Sequence, residues 1–531
     1  MKQAVRRVRA LAVYRVVLGG ACASLLALAC GGGSEPSALD DRAPIEPDRD
    51  RADEPAVDDG PVNEGPLDAN PSPRPDPVAV EQPTPEPAPP VAEPETPRTC
   101  DTTVGFDALY SDVANDLNAE GDDGVFLRYV SLGNRLNQGV CPEQLDTDRF
   151  GLIKAVNSLS TQVGMAVPEA IDADATLYRI DLRDLGWDRT VVVDGVEFLD
   201  KWEALIAASP YAIQFEGDDA EDAQIAAATR VPVLFVDALI DAAMVDNLYY
   251  AMIEVGESED ELLAQLGIVE DDIELRVGTG RSRLSQQDAL AERIPLVGFQ
   301  GYYWSRYDLA QDTGGQSVFA DPLEFQADSI AAVFSLPNGL NGYALFDGAG
   351  LRVTDSDVIV DASQRDGRVR NGVSCSQCHA GGLLPMIDEV RAYAAANRRD
   401  FDADTLGEIE DTFLTQPEID DVIRGDAELY SQALARAGLE TSGADPIAAA
   451  YIRFDREVTL AVAAGELGVT AAELDAELSF LAGRVDGSLA TLRNSSLRRE
   501  QFDALYLPAL CVMQAVGDNR PAAEVCAAVG Q

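Results

Sequence analysis

The side chains best placed to do chemistry lie in one run of five, Cys375-Ser376-Gln377-Cys378-His379. The spacing is C-x-x-C-H, the attachment signal for c-type haem. Two thiols separated by two residues can each form a thioether with a haem vinyl group. The next residue then offers an imidazole to the iron as its proximal ligand. His379 is the only histidine in 531 residues, so every task that needs an imidazole falls to it.

The same residues admit other chemistry. A C-x-x-C pair can be a redox dithiol, but that motif usually sits beside a βαβ unit in a cytosolic chain. Here it follows a Gly-rich, strand-like region and an export signal. A zinc site needs about four N or S ligands, and no second histidine exists. A structural disulfide between Cys375 and Cys378 is the strongest alternative.

The compartment suits haem attachment. Lys2, Arg6, Arg7, Arg9 and Arg15 form a basic n-region, and residues 16–29 are apolar but too short to span a bilayer comfortably. The run ends at Cys30-Gly31-Gly32-Gly33-Ser34. This resembles a bacterial lipoprotein signal in which Cys30 takes the lipid. Residues 1–29 then read as signal peptide and 30–99 as a tether, with a membrane anchor through acyl chains. Segment 34–99 is rich in Pro, Asp and Glu and lacks aromatics. Such a composition cannot bury enough apolar surface to offset chain entropy, so it reads as a disordered, extended spacer.

Cys22 leaves with the signal, and four further cysteines suit an oxidising compartment. Pairing Cys100 with Cys141 and Cys511 with Cys526 closes two local loops, the simplest of three connectivities. The 92 acidic against 40 basic residues give a formal charge of −52, which argues against nucleic acid as a partner by phosphate repulsion.

Positioning the five residues falls to an α+β body, mainly helical, in three expected regions. Residues 100–298 read as helical and mixed. Within them Leu127–Leu132 and residues 150–159 carry helical spacing, and 176–183 alternates as a strand. Residues 299–390 read as an antiparallel meander that delivers the chain to the motif. Pro337-Asn338-Gly339 is its hairpin signal. Residues 391–531 read as helical, with Thr470-Ala471-Ala472-Glu473 as a capping box.

Four stretches in order are 178–187 (YRIDLRDLGW), 301–309 (GYYWSRYDL), 334–340 (FSLPNGL) and 371–379 (NGVSCSQCH). Together they resemble a family of large secreted bacterial proteins carrying one c-type haem signal, with no assigned substrate. The resemblance covers most of residues 100–531 and implies a haem c protein of the cell envelope, without implying a reaction.

The expectation is therefore one haem c, held by Cys375 and Cys378 with His379 on the iron, in a lipid-anchored envelope protein, on either side of the outer membrane. Electron transfer is the leading use, with a redox partner protein or a small-molecule donor or acceptor. A peroxidase- or oxidase-like haem enzyme is the alternative, as is a non-catalytic binding or sensor lipoprotein. The sixth ligand decides between them. Met386, seven residues on and within about 24 Å of reach when extended, and Met513 are the candidates, with another ligand or none left open.

Overall fold

In the computed structural model the sheet that precedes the motif begins earlier than the sequence suggests. Its six strands are Leu275–Thr279, Ala289–Pro295, Tyr302–Asp308, Ser329–Ser335, Asn341–Asp347 and Arg352–Val353. Each pairs antiparallel with the next in chain order, a plain meander. The boundary expected at 298/299 falls between the second and third strands. The first two escape notice because Arg276, Glu292 and Arg293 look like loop residues. Arg276 and Arg293 are buried and ion-paired: Arg276 Nε lies 2.8 Å from the half-buried Glu292, and Arg293 binds Asp426 through two nitrogens at 2.8 Å each.

Described are Cys100, most of residues 103–514, and residues 520, 521 and 526. Residues 1–99, 101–102, 213–214, 217–232, 269–272, 311–316, 441–442, 515–519, 522–525 and 527–531, with positions 283, 299, 357 and 362, lie outside the description. The expected signal peptide, tether and Cys30 fall among these.

Directly paired residues share a face of a sheet. The row Leu275, Arg293, Trp304, Val333, Tyr343 therefore runs across five strands on one side. Helix Gln416–Arg436 covers this side. Ile419 and Ile423 pack on Leu275, Val277, Ala291, Tyr302 and Trp304. Asp426 on the same helix takes the Trp304 indole N–H at 2.8 Å. The opposite face, with Tyr303, Ile294, Phe334 and Phe346, joins the main core.

Leu127–Ser131 is a strand rather than the helix its spacing predicts. All five residues are buried, between Leu177–Asp181 on one edge and Val233–Phe235 on the other. A strand covered on both faces shows no alternation, so a short apolar run reads equally as helix or strand. Helices Phe106–Glu120 and Asp146–Ser158 flank it in the chain. Beyond the motif the chain is helical as expected, with the Thr470 hydroxyl and the Glu473 carboxylate capping Ala471–Arg484 reciprocally.

The fold class is α+β. The described residues from Cys100 on belong to one compact unit. Cys100 pairs with Cys141 and Cys511 with Cys526. Among the described residues no helix is long and apolar enough to cross a membrane.

Candidate functional site

The motif occupies the last turn of helix Asn371–Cys378 and its C-cap, His379. The helix starts where the chain must come close to its neighbours. A Cβ on Gly372 would stand 2.5 Å from the Met244 carbonyl oxygen and 2.9 Å from the Tyr249 ring, so only glycine fits. The Gly372 amide uses that approach to donate to Met244 O at 3.0 Å. Asn371 Nδ2 reaches the Asp246 carbonyl at 3.2 Å, and the Arg370 amide donates to Ser374 Oγ at 2.9 Å. Residues 371–374 and Ser376 are buried, while Gln377 and Cys378 face outward.

Helix Asp246–Met252 and strand Asn341–Asp347 make the mount rigid. The Tyr343 amide donates to Tyr249 Oη at 3.2 Å and the Leu345 amide to Tyr250 Oη at 3.0 Å. Tyr250 Oη in turn donates to the Val353 carbonyl at 2.8 Å. The His379 ring lies against Tyr343, centroids 5.8 Å apart and 31° between planes.

His379 Nδ1 is 3.1 Å from the Gly382 carbonyl oxygen. A carbonyl only accepts, so the contact assigns the proton to Nδ1 and leaves the Nε2 lone pair available. Gly382 holds that carbonyl in place with φ +99°, and a Cβ there would press on Ala427 at 3.2 Å. Both facts call for glycine. Burial holds the imidazole pKa below its ordinary value, against the Gly382 bond, which favours the charged form. A neutral ring is the form that binds metal.

Cys375 is half-buried, Cys378 is exposed, and both are free thiols. Three apart on a helix, they share one side. Burial, then Cys378 and Asp361, push the Cys375 thiol up to about 12. Cys378 is also raised, by burial and Asp361. A thiol–disulfide exchanger needs the opposite, a lowered thiol pKa in electropositive surroundings. The segment carrying Asp361 lies against the helix end, where Ser363 Oγ donates to Asp361 Oδ1 at 2.6 Å and lies 3.2 Å from Gln377 Oε1.

These residues fit a covalently attached haem. Two unpaired thiols sit on one turn, and the following imidazole has its far nitrogen free. Among the described residues no group of three or more His, Cys, Asp or Glu, the motif included, is arranged to hold a metal ion by itself. A cavity of about 810 Å³ lies elsewhere, between hairpin Val191–Phe198 and residues 352–355. Its two cations are already paired, Lys201 with Glu254 at 2.8 Å and Arg352 with Glu257 at 2.7 Å.

Sequence reasoning alone misses Gly372, Gly382, Tyr249 and Tyr343. The glycines resemble any others until their neighbours are known. The Gly381-Gly382 pair just after His379 is the one available hint.

Comparison with family models, with curated proteins and with solved structures finds no match to this chain.

Proposed function

We propose that the chain is a single-haem c-type cytochrome of the bacterial envelope, anchored through lipid on Cys30. Cys375 and Cys378 would each add S–H across a vinyl group of the haem, and His379 Nε2 would take the iron. When bound, haem supplies a reversible one-electron couple. Electron transfer with a redox partner protein or a small-molecule donor or acceptor is the activity this supports best. The resemblance of the four sequence stretches to secreted single-haem proteins points the same way.

The observation that carries the reading is the His379 Nδ1 contact with the Gly382 carbonyl. It orients the ring and raises its basicity, which is what the partner of a metal-ligating imidazole does. The residues around it have clear tasks. Gly382 holds the proton on Nδ1, Tyr343 limits the tilt of the ring, and Gly372 lets the helix seat against Tyr249. The test is a pyridine haemochrome assay on protein exported into a compartment that loads haem c. One haem per chain is expected, and Cys375→Ser/Cys378→Ser should abolish it. Haem-free protein after export with a working loading system would refute the reading.

A further inference from the structure

A proximal imidazole leaves the iron's other axial position open to a second side chain or to a ligand from solution. Two axial ligands must face each other directly across one metal atom. The neutral or cationic side chains that usually close this position are few in the chain. It has one histidine, six methionines and three lysines. Met1 and Lys2 lie among the residues outside the description.

Met386 is carried away from His379 by its own segment. His379 rests on Tyr343, in the fifth strand of the sheet. Nine residues later the chain is pinned to the first strand. There the Gly278 amide donates to Asp388 Oδ1 at 2.9 Å, and the Glu389 amide donates to the Gly278 carbonyl at 2.8 Å. Four strand spacings separate these points, about 19 Å. Met386 sits near the far end of that crossing. Its carbonyl accepts from Gln416 Nε2 at 2.9 Å, and its side chain packs into the Leu275–Trp304–Ile419 cluster.

The other candidates are also committed. Met513 packs against the main core from helix Arg499–Gln514, which leans on Ala471–Arg484. The motif helix instead has Pro446–Phe454, Asp246–Met252 and strand Asn341–Asp347 as its main neighbours. Met244 and Met252 are fully buried, and Met165 packs on the same core. Lys154 is bound to Asp445, and Lys201 to the Met252 carbonyl and Glu254.

We propose that no methionine or lysine among the described residues closes the iron's second axial position, and that this position takes a small uncharged ligand from solution. This rests on the haem reading above, and an iron open to ligands turns the weight at that same site from electron transfer toward small-molecule binding or chemistry. The preference for an uncharged ligand comes from the formal charge of −52. It repels anions at a range that salt shortens. Binding is one dative bond from the ligand's lone pair to iron, with no electron transferred and at most one water displaced.

Carbon monoxide added to the dithionite-reduced, haem-loaded protein is the test. The expected result is a shifted Soret band that saturates at one ligand per haem, with Met386→Leu and Met513→Leu spectra superimposable on the parent before and after the gas. A reduced spectrum that ignores carbon monoxide overturns the proposal. So does a Met386→Leu or Met513→Leu protein that binds the gas when the parent does not. Azide on the oxidised protein should bind weakly and more tightly as salt is added; salt-independent azide binding overturns the charge preference. A negative haemochrome assay on the same sample marks failure of the haem reading itself, separately from these outcomes.

Discussion

Two groups of capable side chains occupy the same body and differ in how completely their bonding capacity is used. Around Arg499, every strong donor meets an acceptor. Its guanidinium grips both Glu466 oxygens at 2.8 and 2.9 Å, the Phe454 carbonyl at 2.8 Å and Tyr211 Oη at 2.7 Å. Tyr211 donates on to Asp503 at 2.6 Å, and the guanidinium lies 4.0 Å over the Phe454 ring. At the motif, by contrast, two thiols and one imidazole nitrogen are left over. The first arrangement cross-links helices. The second leaves capacity unused. Buried charge alone does not distinguish a site from a strut; unspent valence on a rigid mount does.

The comparison breaks most visibly at Arg499. Arg499→Leu leaves Glu466 buried without its partner and should cost about 3–5 kcal/mol in chemical denaturation. Haem content per folded chain should not change. A loss of haem at unchanged stability would mean that the two groups are not separate.

Gly382→Ala comes next. It forces a non-glycine residue to φ +99° against Ala427, a strain of about 1–3 kcal/mol. Because the displaced carbonyl is the one that holds His379, the variant should also change the absorption spectrum of the loaded protein. A stability loss with an unaltered spectrum would reduce Gly382 to a turn residue.

The pH dependence sharpens the contrast on the strut side. Burial first, then Asp503, push Asp241 up to about 7, with Arg499 opposing. A carboxyl raised above its unfolded value of about 3.9 keeps its proton longer in the folded state. Its contribution therefore falls as pH rises from about 4 through 7 and is fully unfavourable above. Asp241→Asn should stabilise the protein at pH 8 by at least about 1.4 kcal/mol, the worth of a tenfold difference in proton affinity between the folded and unfolded chain. At pH 4 it should have little effect. Equal effects at both pH values would contradict the assignment.

Cys378→Ala should have the smallest effect on folding, within about 0.5 kcal/mol for an exposed position outside the packed core. It removes one of the two proposed thioethers, so haem retention on a denaturing gel should fall while the denaturation midpoint holds. Full retention would show that Cys378 is not an attachment point.

Legibility in the sequence follows contiguity. The motif is five adjacent residues, and the Asn338-Gly339 hairpin announces itself by turn chemistry, so both are legible. The two cysteine pairs are legible because each closes a local loop. The first strands of the sheet are not, since arginines such as Arg276 and Arg293 can be expected to pair with acids, but the sequence does not pick out Glu292 on the next strand and Asp426 on a distant helix as the partners. Leu127–Ser131 misleads because burial on both faces erases alternation. Gly382 becomes meaningful only with Ala427 beside it, a contact 45 residues away in the chain.

The central claim is that the sulfurs of Cys375 and Cys378 are bonded to haem. Trypsin cutting after Arg370 and Arg391 releases one peptide, Asn371–Arg391, that contains both sulfurs and His379. Its mass, measured without reductant on protein exported where haem can be loaded, should equal the peptide plus one haem, with both thiols consumed. A mass two hydrogens below the bare peptide, with Cys375 joined to Cys378, would contradict the account.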